Sequence, residues 1–338
     1  VIGSPQSTHN LLRFQERNPI TGPSPSSFRG GGQGDGVKPA RVLYLLTALL
    51  WLSLAGCSTA NAPADTPKFD GDRAFELLKK QTDFGPRPIG TGAHEKTKDF
   101  LASELKKVTG TVTLQAFDFQ QNSKTFPLTN IIGVLNPDAT RKVLLAAHWD
   151  TRPIADQDMD PQNRDKPILG ANDGASGVAV LLEAARVLKE LKPRVQVMIV
   201  LFDGEDYGKT EDTMFLGSRY FSAHMGQYKP DFGILIDMVG DKDLSIYQEG
   251  NSQQAAPEIV DKVWNVARNL NYGVYFKPAV KYTILDDHIP LIEKGIKMID
   301  IIDFDYIYWH TLQDTPDKCS PKSLKVVGDV LIQVVMEE

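Results

Sequence analysis

The strongest pattern along the chain is a set of short, almost wholly apolar runs rich in Val, Ile and Leu, over residues 143–147, 195–201, 232–236 and 298–302. Runs of that length and composition read as strands buried on both faces, the kind that build parallel sheets. Residues 112–119, which alternate, and 130–135 read as two further strands. Between the strands lie segments of helical period. These are 72–81 (Phe75 and Leu78 on one side), 91–108 (Phe100, Leu101 and Leu105), 178–191, 217–225, and 258–270 with Ile259, Val263, Val266 and Leu270 in phase. A short helix opens at Asp286-Asp287-His288 and ends near Gly295, and a last one is capped by Ser320 and begun by Pro321. Strands alternating with helices predict an α/β fold, a three-layer α/β/α sandwich around a central mixed, mostly parallel sheet. His94, near the start of the second helix and with no histidine at i+4, reads as a surface residue.

The N-terminal part follows a different rule. Residues 1–36 are rich in Gly, Pro and Ser without apolar period, and are expected to be disordered. The glycine-rich run at 30–36 has no strand before it and no Gly-Lys-Ser/Thr after it, so it is not a phosphate loop. Lys38 and Arg41 then introduce an apolar run over 42–56, too short to span a bilayer and of the length of a secretory core. Leu54-Ala55-Gly56-Cys57 closes it and resembles a bacterial lipobox. That resemblance implies a lipoprotein signal peptide over 37–57, Cys57 as the lipidated residue, and a lipid bilayer as partner. It places the protein in the bacterial cell envelope, facing the periplasm or exterior. Ser58 favours the outer membrane. Val37 would then be the true start, with residues 1–36 upstream of it. Residues 58–69 form a Pro/Ala linker, and 70–338 a single folded domain.

Composition narrows the chemistry. With 41% hydrophobic and 24% charged residues among 338, the chain is ordinary globular material for one large α/β domain or two smaller ones. A net charge of -6 does not indicate a nucleic-acid surface. Two cysteines, Cys57 and Cys319, exclude a disulfide scaffold and a thiolate zinc site.

The candidate chemistry lies where the apolar runs stop. The run 195–201 ends in Phe202-Asp203-Gly204-Glu205-Asp206-Tyr207-Gly208. Taken alone this is equally an acidic surface turn. Yet ligands of open α/β sheets bind beyond the carboxyl ends of strands, and two neighbouring acids there can divide metal binding and proton transfer. The other runs end alike: 143–147 in His148-Trp149-Asp150, 232–236 in Asp237, and 298–302 shortly before Trp309-His310-Thr311. Asp173 sits in Gly170-Ala171-Asn172-Asp173-Gly174-Ala175-Ser176-Gly177, just before a helix. Carboxylate and imidazole ligands without thiolates suit zinc with an open position. Gly174-Ala175-Ser176-Gly177 is not a Gly-x-Ser-x-Gly elbow, so a serine hydrolase is poorly supported.

From about Asp72 onward the chain resembles the superfamily that joins zinc aminopeptidases with animal-type glutaminyl cyclases. The order His-x-Asp, Asn-Asp-Gly-Ala-Ser-Gly, Asp-Gly-Glu-Asp, Ile-Asp-Met and Trp-His-Thr carries the resemblance. Asp286-Asp287-His288-Ile289-Pro290, Phe215-Leu216-Gly217-Ser218-Arg219 and Asp206-Tyr207-Gly208 resemble the cyclase branch. The resemblance implies that Asp173, Asp206 and His310 hold one zinc. It makes Glu205 the general acid/base, with Asp286 and Asp237 as further catalytic carboxylates of its hydrogen-bond network. His148 and Asp237 match ligands of a second zinc in the aminopeptidases, Asp150 would orient His148, and Trp309 would wall the substrate. A cyclase would use one zinc and act on peptides or proteins with N-terminal Gln, giving pyroglutamate and ammonia. An aminopeptidase would use two zincs and remove N-terminal residues. A non-catalytic envelope binding protein is the third alternative, and the intact Glu205 argues against it. Three positions depart from the family pattern: the ligand position commonly filled by Glu is Asp206, Gly174 stands where animal cyclases have Ser, and no second pocket Trp occurs between Asp206 and Gly217.

Overall fold

A computed structural model describes residues 67–338, so the segment expected to be disordered, the expected signal peptide and Cys57 lie outside the described residues. The strands are β1 (Val112–Gln121), β2 (Lys124–Leu135), β3 (Lys142–His148), β4 (Gln196–Phe202), β5 (Phe232–Asp237), β6 (Ile246–Glu249), β7 (Phe276–Tyr282) and β8 (Lys297–Ile302). The α-helices are α1 (Gly71–Thr82), α2 (Gly92–Thr109), α3 (Ala175–Leu191), α4 (Leu216–Ala223), α5 (Gly250–Ala255), α6 (Pro257–Asn269), α7 (His288–Ile292) and α8 (Pro321–Met336). Six strands form one sheet in the order β1-β2-β4-β3-β5-β8. The four from β4 to β8 are mutually parallel, and β2 and β1 complete the sheet antiparallel.

Period-2 geometry explains why the central strands are apolar throughout. Alternate side chains point to opposite faces, and both faces are covered. Val143, Leu145 and Ala147 of β3, with Val197, Ile199 and Leu201 of β4, join the core built on α1, α2, α3, α6 and α8. Leu144, Ala146, Met198, Val200 and Phe202 join a second core with Phe221 of α4 and Leu291 of α7. The three-layer sandwich with a mixed, mostly parallel sheet is therefore the observed architecture.

Several details depart from the sequence expectations. The helix expected from 178 begins at Ala175, and Gly177 in its first turn lets the helix lie against β5, since a Cβ there would stand 2.5 Å from the Ile236 carbonyl oxygen. β6 and β7 form a separate two-stranded parallel sheet. Neither they nor α5 was expected: β6 has four residues, α5 six, and β7 is mostly exposed. Phe69, assigned to the linker, is core, lying against Gly328 of α8.

His94 corrects another reading. It is buried, its Nε2 lies 2.8 Å from Asp203 Oδ1, and its ring stacks on Trp149 at 4.3 Å. Asp203 Oδ2 in turn accepts the Thr129 N–H at 2.7 Å. The pair fastens α2 and β2 to the start of the acidic turn.

Leu145 is fully buried in the central strand, whereas Leu114 on the edge strand is half exposed. Leu145→Ala should cost about 2–5 kcal/mol of unfolding free energy. Leu114→Ala should stay within about 0.5 kcal/mol. Urea denaturation of both variants checks this.

Candidate metal centre

β3, β4 and β5 are parallel neighbours, so their carboxyl ends share one edge. The connections leaving β3 and β4 run in opposite directions across the sheet, which opens a crevice at that edge. His148 is the last residue of β3 and Asp237 the last of β5. Glu205 and Asp206 follow β4 after a tight turn at Gly204, whose φ of 72° and close approach to Leu128 suit glycine. His310 comes from the loop after β8, itself at φ 54°. Asp173 is set just before α3, and its peptide bond to Gly174 is cis.

These residues converge as two overlapping groups. Asp173, Asp206 and His310 can each offer a ligand atom, all within 4.8 Å of one another, and so can His148, Asp173 and Asp237. His310 Nε2 stands 3.3 Å from Asp206 Oδ1 and 3.5 Å from Asp173 Oδ2. His148 Nε2 stands 3.0 Å from Asp173 Oδ1 and 3.2 Å from Asp237 Oδ1. Asp173 is thus the shared member. All five are buried.

Backbone donors hold the carboxylates in place. Asp150 accepts the N–H groups of Glu205 (3.1 Å) and Asp206 (3.2 Å), and lies 3.5 Å from His148 Nδ1. Its hydrogen bonds therefore orient the acidic turn, while its approach to His148 is longer than a hydrogen bond. Asp314 does the same for Asp173, accepting the Asn172 N–H at 2.8 Å and the Asp173 N–H at 3.1 Å. Asp286 lies before α7 and accepts the Asp287 N–H, and Asp287 accepts a 2.5 Å bond from the Ser218 hydroxyl. Trp309 is half-buried and stacks on the His310 ring at 4.0 Å.

The electrostatics follow from burial and crowding. Burial and the neighbouring Asp206 push the Glu205 carboxyl well above the ordinary range. Burial together with Asp237 and Asp287 does the same to Asp286. Burial also works to raise Asp206, but His310 and Arg152 outweigh it and hold that carboxyl below its usual value. Burial works to lower His310, yet Asp206 and Asp156 lift it to about 9. Sequence reasoning named Asp287 only as part of a motif and missed Asp314 and Asp300. Asp300 interrupts the apolar β8, is buried with both oxygens unpartnered, and is raised by burial and by Asp286. An acid inside an apolar strand was the available signal.

A divalent cation fits this donor set. The crowded carboxylates need positive charge to remain ionised together, and Asp206 Oδ2 is buried without a hydrogen-bond partner. Buried carboxylate and imidazole groups without thiolates suit zinc. Gly174 belongs to the same packing, because a Cβ there would stand 2.5 Å from both Nε2 and the carbonyl oxygen of His148. With His148 placed as it is in this chain, a side chain at position 174 would have to displace it.

Residues 130–335 match the sequence model of peptidase family M28. The crystal structure of a Bacteroides thetaiotaomicron glutaminyl cyclase bound to N-acetylhistamine is 40% identical. It covers 81% of this chain and 100% of that chain, with a TM-score of 0.78. A leucine aminopeptidase precursor from the same organism is also 40% identical, covering 81% of this chain and 99% of that one at a TM-score of 0.78. A glutaminyl-peptide cyclotransferase of Drosophila melanogaster is 27% identical over 259 residues, 68% of this chain and 70% of that protein.

Gly174→Ala should destabilise the protein by about 1–3 kcal/mol through overpacking against His148. Urea denaturation in the presence of a chelator measures this without any contribution from metal.

Proposed function

The chain belongs to peptidase family M28, and from that membership we propose that it is a zinc-dependent glutaminyl-peptide cyclotransferase. Its substrates are peptides or proteins with N-terminal Gln, and its products are pyroglutamate and ammonia. The observation that carries this reading is the place of Asp286. The loop before α7 sets it, buried, with its carboxyl raised by burial and by the charges of Asp237 and Asp287. That forms a carboxylate network beside the metal-capable group. Similarity to the bacterial glutaminyl cyclase over its whole length supports the same reading.

Asp173, Asp206 and His310 would hold one zinc. When bound there it supplies Lewis-acid polarisation of the substrate's side-chain amide. The chain's own groups do the rest. The substrate α-amine, whose pKa is about 7.7–8 and which is therefore partly neutral near pH 7, forms a bond to the side-chain amide carbon. The bond from that carbon to the amide nitrogen breaks. Glu205 carries the proton from the attacking amine to the departing ammonia. Asp237 and Asp286 would be the further carboxylates that act with Glu205. Trp309, stacked on His310 and half-buried, walls the substrate.

A second reading rests on the other group. His148, Asp173 and Asp237 also converge, and Asp173 could bridge two zincs, as an aminopeptidase would require. Glu205 would then deprotonate a water that attacks the first peptide bond. The 40% identity to a leucine aminopeptidase precursor supports this alternative. The envelope location is likewise a proposal: the basic flank, apolar run and Leu54-Ala55-Gly56-Cys57 support lipidation of Cys57 and anchoring in a bilayer, with Ser58 favouring the outer membrane.

Mass spectrometry of a Gln-initiated peptide after incubation with the protein distinguishes the activities. Loss of ammonia with the chain otherwise intact is expected, with kcat lowered about 10²–10⁴-fold in Glu205→Gln and with one zinc per chain. Release of a free amino acid by a protein holding two zincs would establish the aminopeptidase instead. For the anchor, metabolic labelling with a fatty acid should mark the protein. The Cys57→Ser variant should lose the label, and an unlabelled unaltered protein would remove the proposal.

A further inference from the structure

The loop joining β3 to α3 is polar and lacks any hydrophobic period, yet its first part is buried. Arg152 is 5% exposed. Its guanidinium serves two carboxylates at once. Nη1 donates to Asp206 Oδ1 at 2.7 Å and to the Gly208 carbonyl at 3.0 Å. Nε and Nη2 make a paired contact with Asp156, at 3.0 Å to Oδ1 and 2.8 Å to Oδ2. Asp156 Oδ1 also stands 3.3 Å from His310 Nδ1.

The same loop then grips the backbone around His310. The Gln157 N–H donates to the His310 carbonyl at 3.2 Å, and Asp158 Oδ2 accepts the Leu312 N–H at 3.0 Å. These contacts help hold His310 at a φ of 54°, a left-handed conformation uncommon outside glycine. The Asp156 carboxylate stands beside Nδ1 as a charge contact and not a hydrogen bond, and together with the backbone contacts it favours the ring orientation in which Nε2 faces Asp173 and Asp206. On the other side, Arg152 occupies Asp206 Oδ1, while Asp150 holds the Asp206 N–H. Asp206 Oδ2 is left without a partner.

We propose that Arg152 and Asp156 are positioning residues of the metal centre, a single clamp that fixes the Asp206 carboxylate and the His310 imidazole relative to each other. The proposal rests on the reading of Asp173, Asp206 and His310 as a zinc site. Arg suits the task because its planar fork can bind Asp156 in a paired contact while a third donor reaches Asp206. Lys has one charged nitrogen and cannot span both. The clamp binds no substrate. It acts by reducing the rearrangement the two ligands undergo when the cation arrives.

The test is competition for zinc between the metal-free full-length protein and a chromophoric chelator, using the unaltered protein, Arg152→Gln, Arg152→Lys, Asp156→Asn and the double variant Arg152→Gln/Asp156→Asn. Each single substitution should weaken zinc binding by about 10–100-fold. Arg152→Lys should fail to restore it. The double variant should lose much less than the product of the two single losses, because the pair acts as one unit. Asp156→Asn is isosteric and partly exposed, so it keeps the proposal falsifiable if Arg152→Gln does not fold. Affinities within about threefold of the unaltered protein, or losses that simply multiply, would overturn the clamp and leave the zinc site standing. An unaltered protein that binds no zinc would overturn both.

Discussion

Carboxylates crowd the carboxyl edge of this sheet under conditions that should repel them. Asp150, Asp173, Glu205, Asp206, Asp237 and Asp286 are all buried, and Arg152 is a permanent cation that touches the group directly, through Asp206. Desolvation and mutual repulsion both oppose ionisation there. The fold answers by giving the acids different kinds of partner. Asp150 and Asp314 take backbone N–H groups, which cost no additional charge, while Asp173, Asp206 and Asp237 turn toward the two imidazoles. The acids that spend their oxygens on the backbone shape the site. Those left short of donors are the ones a cation would satisfy.

This division explains why the sheet is built as it is. Parallel strands bring three carboxyl ends to one edge without any long-range design, and apolar side chains on both faces keep those ends in register. The antiparallel β1 and β2 add no ligands. Their part is mechanical, since Thr129 and Asn130 of β2 hold Asp203 through its carboxylate and its N–H. Asp203 in turn sets the turn that presents Glu205 and Asp206.

The ligands themselves were legible in the sequence because they stand at abrupt changes, an apolar run giving way to acid or histidine. Asp173 was legible through its glycine-rich setting. The residues that serve the ligands were not. His94 has its partner 109 positions away and carries no local periodicity, so it looked like surface. Arg152 and Asp156 lie in a loop whose polarity implied exposure, although Arg152 is enclosed. β6, β7 and α5 are too short, or too exposed, to leave a period. Gly174 departed from the family pattern, and its reason is visible only once His148 is placed against it.

Among the described residues, the segment before β1 contributes none of the candidate metal ligands, yet it is tied to the site at several points. Gln81 of α1 donates to the Ala175 carbonyl at the start of α3. Arg87, fully buried, donates to the carbonyls of Trp149, Leu169 and Gly170, bracketing the loop that leads to Asp173. His94 meets Asp203. A fragment beginning at β2 would therefore retain every candidate ligand and still lack a working centre. It would take the His94 partner from Asp203, leaving that buried acid only the Thr129 N–H, and would release the loop that leads to Asp173. The smallest autonomous unit of this chemistry is set by its braces, and it begins with α1.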